Sequence, residues 1–529
     1  MIGLAAAAGD GAGTLLARDA AATTGDNRGD VMTDFAAAVH DWPDHAAIRY
    51  ADETVSYREF AEMVRVTAFR YRAHRFGGRG SSSLIGTLVS HTPAVAEQMF
   101  GVLAAGAAYC PIDADLPPAR RRELAEAIGL RRVFPSSGDA REITTSTTET
   151  PVPLPHPADP AYVLCTSGST GAPKPVVVSR RALTVTVRAL RSLFAITPDD
   201  RVLQFASLGW DTCLEEILPA LTAGAALVFD DAAHSHSFPK FVRMLERQAV
   251  TVLDLPTAFW HELVLFLDEE RAALPDCVRL VVIGGERIDP TRLRQWRRLD
   301  LGHISLLNTY GCTETTMVTH AVQLSGPGTE PAVAADDADA PIGRALPHVR
   351  DHVTAEGELL VAGDGLATGY LGRPELSTSA FPVVDHGWGP VRWFRTGDLV
   401  RRGEDGLLYS RGRTDEQVKV LGVRVHPAEV EAHLNTHPAV KAAVVLAVRS
   451  LGRTALDAYV VPIGEVTPAE VRRYLQARLP SQLVPSRVTF VPALTYTASG
   501  KVDRTAMQRA AAGHEHIPEN PLGSKGAAR

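Results

Sequence analysis

Lysine is scarce in this chain. Of its 54 Lys and Arg residues only six are lysine, at positions 174, 240, 419, 441, 501 and 525, and arginine fills the other 48. Where arginine is the default cation, a retained lysine marks a place that a compact ammonium on a flexible stem suits better than a planar guanidinium. Cysteine is scarce too, and the five at 110, 165, 213, 277 and 312 have no close spacing, which argues against a zinc site or a disulfide framework and fits a reducing, cytoplasmic setting. No apolar run reaches the roughly 18 residues of a membrane helix, and the opening MIGLAAAA lacks a basic flank and is cut short by Asp10, so neither a membrane span nor a secretory signal is expected. Basic charge is lacking as well: the formal net charge is -7, which argues against a nucleic-acid partner. What is present is 529 residues, 45% hydrophobic and 22% charged, enough for two or three folded units with real cores.

Residues 1–30 and 511–529 carry no hydrophobic periodicity and read as a flexible leader and tail, and 143–157 (ITTSTTETPVPLPHP) as a surface connection. Between them short apolar runs alternate with helical patterns: TVLDLP then TAFWHELVLFLDEE, RLVVIGGERI then DPTRLRQWRRL. That alternation is the α/β signature. Near Asp415 the pattern changes to a short β-rich piece (QVKVLGVRV), a helix (HPAEVEAHL), a strand (KAAVVLAV) and a helix opened by a capping box at Thr467 and Glu470. The expected architecture is a large α/β unit, 31–414, followed by a small mobile α+β unit, 415–510.

The sharpest local feature is AYVLCTSGSTGAPKPVVVS, 161–179, in which AYVLC and PVVVS read as strands and RALTVTVRALRSLF after them as a helix with apolar residues at 183, 187, 190 and 194. The loop between the strands is not a Walker A loop, because Lys174 is followed by Pro175 and the segment does not open a helix. Backbone N–H groups freed by Gly168 and Gly171, hydroxyls on Thr166, Ser167, Ser169 and Thr170, and the Lys174 ammonium nevertheless form an anion cradle suited to polyphosphate.

With these residues the chain resembles the adenylate-forming superfamily, and specifically the amino-acid adenylation domains of nonribosomal peptide synthetases, over about 31–508. The same resemblance is carried by GAAYCPIDADLPPAR (106–120), LNTYGCTETTM (307–317), WFRTGDL (393–399), GRTDEQVKVLGVRVHPAEVE (412–431), LPSQLVP (479–485) and SGKVDR (499–504). It implies joining a carboxylate to the α-phosphate of ATP with release of pyrophosphate, then passing the acyl group to a thiol. Such chemistry rests on positive charge and aligned donors where negative charge builds up. By resemblance, the 166–174 loop holds the β- and γ-phosphates, Tyr310 stacks on adenine, Asn308 recognises its amino group, Thr313 approaches the α-phosphate and Glu314 helps hold Mg²⁺. Asp398 takes the ribose hydroxyls with Arg413 nearby, and Lys501 bridges substrate carboxylate and α-phosphate. Asp415 matches the hinge about which the small unit exchanges Lys501 for the loop bearing Lys419.

The resemblance also places an acyl pocket at Asp211, Thr212, Glu215, Asp254, Val282, Gly284, Thr309, Met317 and Val318. Asp211 in GWDTCLEE matches the partner of an α-ammonium, which favours an amino acid over a fatty or aryl acid. Two further acids in one pocket call for a cation, since buried unpaired carboxylates are costly. Asp254 ends an apolar strand at the edge where open α/β sheets bind ligands. Glu215 lies in the helical stretch LEEILPAL, where a solvated helix acid is the lesser reading. Gly284, Thr309 and Val282 leave room for a long chain, so the expected substrate is a diamino acid, lysine or β-lysine, with ornithine or arginine next.

Cys165, Pro175, Arg180 and Cys312 depart from the usual pattern, and Pro175 removes an N–H at the loop exit. Only 28 residues follow Lys501 and no HHxxxDG motif occurs, so the expectation is a stand-alone enzyme that loads the phosphopantetheine thiol of a separate peptidyl carrier protein, with a small MbtH-like activator as a further partner. Direct amide formation, an acyl- or aryl-CoA ligase of the same fold, and a non-catalytic nucleotide- or carrier-binding relative are the alternatives.

Overall fold

A computed structural model describes residues 29–507 except 74–83, 136–154, 168–171, 331–332, 334–339, 422, 451–452, 496–501 and 505. The expected leader up to residue 28, the 511–529 tail and most of the 143–157 connection lie outside the described residues, as do Gly168, Ser169, Thr170, Gly171 and Lys501.

Two sheets organise the large unit, one of nine strands and one of six. The helices Val31–Asp41, Tyr57–Ala73, Ala94–Ala104, Arg180–Leu193 and Thr212–Ala223 fill the space between them, and one hydrophobic core runs from Ile48 and Val282 on the first sheet to Tyr109, Tyr162 and Val178 on the second. Cys213 to Ala223 are all buried, as a helix apolar on every side must be when covered on both faces. A second core, built on Trp260, Leu263, Leu293 and Trp296, covers the other face of the nine-stranded sheet.

Apolar β-branched runs form the centre of that sheet, where strands are buried on both faces. Val252–Pro256, Leu280–Gly284 and Ser305–Tyr310 run parallel, with Asp254 opposite Val282, Gly284 opposite Thr309, and Ile283 opposite Asn308. This register gathers the carboxyl ends of three strands, where α/β sheets hold ligands. A five-stranded antiparallel sheet contributes Pro390–Arg402 and Leu408–Arg413, which pair Asp398 with Arg413.

The small unit begins with the hairpin Val418–Val420 and Val423–Val425. The helix Pro427–Asn435 follows with proline in its first turn, where the missing N–H costs nothing. Strands Val440–Ser450 and Arg453–Pro462 pair antiparallel, and Arg487–Phe490 adds in parallel. The helix Pro468–Gln476 carries the expected capping box: the Thr467 hydroxyl accepts from Glu470 N and the Glu470 carboxylate from Thr467 N. Trp210, from the large unit, packs on the small unit's core of Val425, Val430, Leu434 and Leu475.

Candidate active site

The phosphate-loop strands, Pro160–Thr166 and Lys174–Ser179, form an antiparallel hairpin that pairs Thr166 with Lys174 at the loop's base. Thr166 Oγ1 is buried without a hydrogen-bond partner, and Ser167 Oγ donates to the Arg424 carbonyl at 2.8 Å. Pro175 offers no N–H, but its carbonyl accepts from Leu371 N at 2.8 Å, and Val177 O accepts from Thr368 N at 2.7 Å. The short strand Gly369–Tyr370 is thereby fixed beside the hairpin, with the Lys174 ammonium 5.4 Å from the centre of the Tyr370 ring. Burial lowers the Lys174 pKa, and the charge of Glu314 opposes that shift.

Glu314 lies in the short helical turn Thr313–Thr315 and is almost fully buried. Its Oε1 accepts from the Tyr370 hydroxyl at 2.9 Å and its Oε2 faces Arg424 Nη1 at 3.3 Å. Burial pushes the carboxyl up, but Arg424, Lys174 and the hydrogen bonds outweigh it and hold Glu314 below the usual carboxylate range. An ionised carboxylate of this kind fits a hard dication. Among the described residues no group of three or more His, Cys, Asp or Glu could hold a metal ion, and Glu314 is the residue that would hold Mg²⁺.

Tyr310 and Asp398 meet directly: the phenol donates to Asp398 Oδ2 at 2.6 Å, and Arg413 Nη1 donates to Asp398 Oδ1 at 2.5 Å. Arg413 also grips both oxygens of Asp415, at 2.6 and 3.0 Å, so the expected ribose acceptor and the expected hinge residue share one guanidinium. Asn308 is buried with its Nδ2 committed to the Pro341 carbonyl at 2.7 Å, an orientation that presents its amide oxygen as the acceptor an adenine amino group needs. Lys419 is half-buried within charge range of Asp398, and desolvation lowers its pKa against the pull of that carboxylate.

The acyl-pocket residues divide into two groups. Asp211 sits just before the Thr212–Ala223 helix, where the Thr313 hydroxyl and the Met317 N–H hydrogen-bond its carboxyl while Oδ2 is left without a partner. Burial, offset by those donors and reinforced by the charge of Glu314, pushes Asp211 up to about 6. Glu215 is buried, not a solvated helix acid, and its carboxyl is hydrogen-bonded to that of Asp254. Burial and mutual repulsion raise Glu215 well above the ordinary value, and burial raises Asp254 to about 7. Neither has an ion pair with a basic side chain among the described residues, and Asp254 Oδ2 lacks a donor. Glu216, the next residue, is a different case: it accepts from Phe205 N, Ala206 N and Gln204 Nε2, a structural carboxylate satisfied by three donors.

Val282, Thr309, Met317 and Val318 are buried, with Val282 opposite Asp254 and the Met317 N–H hydrogen-bonded to Asp211, whereas Thr212 is exposed at the helix start. A Cβ on Gly284 would lie 2.5 Å from Thr309 Oγ1, so only glycine lets the two strand ends close. A Cβ on Gly311 would lie 1.8 Å from Met317 O, and Thr316 and Met317 hold left-handed backbone (φ 60 and 69), strain concentrated beside the pocket.

Two features of the site are given no role by the sequence, although Arg120 and Arg424 both stand in segments that carry the resemblance. Arg424 supplies its guanidinium to Glu314 and Gln417 and its carbonyl to Ser167, and Arg120 Nη2 reaches Glu429 Oε1 at 2.6 Å in a buried pair between the two units. In a chain with 48 arginines neither guanidinium stands out. Both line a cavity of about 450 Å³ between the units, together with Asp113, Trp210 and Leu479.

The sequence model described as "AMP-binding enzyme" matches residues 35–371, and that described as "AMP-binding enzyme C-terminal domain" matches 429–501. The chain belongs to the AMP-binding enzymes, the adenylate-forming ligases, and is of the adenylation-domain type. Similar curated proteins include the isonitrile lipopeptide synthase of Streptomyces coeruleorubidus, 39% identical over 89% of this chain and 33% of the relative. Tyrocidine synthase 3 of Brevibacillus parabrevis is 33% identical over 88% of this chain and 7% of its own length. The chain thus spans a third or less of these relatives. Among solved structures, holo-PA1221, a nonribosomal peptide synthetase protein with adenylation and carrier domains, shares the fold with a TM-score of 0.78 at 23% identity, over 91% of this chain and 84% of that one. The amide bond synthetase McbA of Marinactinospora thermotolerans does so with 0.73 at 24%, over 90% and 99%. No helix among the described residues is long and apolar enough to cross a membrane.

Proposed function

We propose that the protein activates an amino acid with a cationic side chain, lysine, β-lysine or a close diamino relative, as an aminoacyl adenylate from ATP, and passes it to the phosphopantetheine thiol of a carrier protein. The observation that carries this reading is the set of buried carboxylates, Asp211 and the Glu215 and Asp254 pair, with Asp211 Oδ2 and Asp254 Oδ2 each lacking a donor. Burying such groups is costly, and a substrate with two ammonium groups supplies both missing partners. On this reading Lys174 and the 166–171 loop hold the triphosphate, Asp398 and Asn308 hold the nucleoside, and Glu314 holds Mg²⁺. Lys501 contacts the reacting groups during adenylation, and the unit 415–510 turns about Asp415 to replace it with Lys419. The interdomain cavity suits a narrow thiol arm, and the likeness to peptide synthases, among them structures that include carrier domains, supports the same acceptor in a cytoplasmic peptide pathway. A small MbtH-like protein is a candidate activator.

The test is trapping of the adenylate with hydroxylamine across a panel of acids, read by mass spectrometry, followed by loading of a holo-carrier protein read by intact mass. Hydroxamates of diamino acids and a carrier heavier by one such residue are expected. Hydroxamates only of acids without an amine would contradict the reading.

A further inference from the structure

Arg424 completes two groups of the nucleotide site at once. Its guanidinium faces Glu314 Oε2 at 3.3 Å, and its backbone carbonyl accepts from Ser167 Oγ at 2.8 Å. The first is the carboxylate suited to a hard dication, and the second is a hydroxyl of the phosphate loop. Arg424 is held for this task. Its Nε donates to Gln417 Oε1 at 2.5 Å, and Gln417 in turn accepts from Arg413 Nη2 at 3.0 Å, so the guanidinium is tied through Arg413 to Asp398 and Asp415. The other oxygen of Glu314 is already taken by the Tyr370 hydroxyl, and Lys174 adds a further positive charge.

A dication and a guanidinium on the same oxygen of Glu314 repel each other, and the burial of the site strengthens that repulsion, so each disfavours the other there. We propose that Arg424 is the cation that takes the metal's place on Glu314 when the small unit is docked through its 418–425 hairpin, so that metal binding and docking disfavour each other. The inference rests on the adenylation reading. It makes Arg424 a positioning residue that stays paired with Glu314 after metal and pyrophosphate have left, and that favours the docked orientation only then. The same linkage runs in reverse: whatever fills the metal site disfavours docking by the same factor.

The test uses the full chain, α,β-methylene-ATP, and Mn²⁺ as an EPR-visible substitute for Mg²⁺, with free Mn²⁺ read directly. If about four-fifths of the molecules are docked, removing the competing charge raises the apparent Mn²⁺ affinity about fivefold. Arg424→Gln is expected to give that rise, Arg424→Lys, which keeps the charge, to stay within about twofold of wild type, and Glu314→Gln to cancel the effect of Arg424→Gln. An unchanged or weakened affinity in a folded Arg424→Gln protein overturns the inference, as does Arg424→Lys behaving like Arg424→Gln. Failure of the wild type to bind Mn²⁺ with the analogue overturns the adenylation reading, and this inference with it.

Discussion

Glu215 and Asp254 meet from different elements, one on the first turn of the buried Thr212–Ala223 helix and the other midway along the Val252–Pro256 strand, not at its end as the run TVLDLP suggests. Their carboxyl groups are hydrogen-bonded to each other. Two buried carboxyls in that position hold a shared proton more readily than both ionise.

This pairing makes stability depend on pH in a fixed direction. Both groups have raised values in the folded protein, Asp254 to about 7, so the folded state binds more protons than the unfolded chain. Their contribution is full below about pH 4 and is lost as pH rises through about 7. Scanning fluorimetry of the protein alone should show an unfolding temperature that falls between about pH 5.5 and 8. Saturating lysine should offset the fall, and Asp254→Asn should flatten it.

Charge recognition at the distal end should be separable from recognition of the α-amine. Removing one partner of a buried ion pair costs about 3 kcal/mol or more, so Asp254→Asn should lower kcat/KM for lysine by ~100-fold. The same substitution should spare any residual activity toward norleucine, whereas Asp211→Asn should depress activity with every α-amino acid.

Lys501 and Lys240 provide a matched pair of charge-preserving substitutions. A planar guanidinium cannot reproduce a compact ammonium that bridges two anions, so Lys501→Arg should reduce adenylation by about 100-fold or more. Lys240 is exposed on the Phe238–Gln248 helix, and Lys240→Arg should leave the rate unchanged.

The Arg120 and Glu429 pair spans the two units and is buried on both sides. It belongs to the orientation that brings Lys419 and Arg424 into the site. Glu429→Gln should therefore slow carrier loading by about tenfold or more while hydroxamate formation stays near wild type, because only the docked state loses the pair.

The elements were largely legible in the sequence. The runs TVLDLP and RLVVIGG became the adjacent strands Val252–Pro256 and Leu280–Gly284, and Thr467 and Glu470 form the capping box their spacing announced. Asp211 was legible through the resemblance, and Asp254 as an acid within an apolar run, although it stands midway along its strand and Asp211 stands just before a helix. Glu215 was ambiguous: LEEILPAL does not reveal that sheets cover the helix on both faces, nor that Glu216 is satisfied by backbone donors while Glu215 is not. Arg424 lies in the segment 412–431 that carries the resemblance, but its role was not legible, since one arginine among 48 has no assignable task until a partner such as Glu314 is seen beside it.

The central claim is that this protein adenylates an amino acid chosen by two positive charges, and exchange of labelled pyrophosphate into ATP tests it most directly. Lysine, norleucine and 6-aminohexanoate differ by one ammonium group each. Exchange should be strong with lysine, and about 100-fold weaker with norleucine, which lacks the distal charge, and with 6-aminohexanoate, which lacks the α-amine. Equal exchange with norleucine, or exchange with neither lysine nor any other diamino acid, would contradict the account.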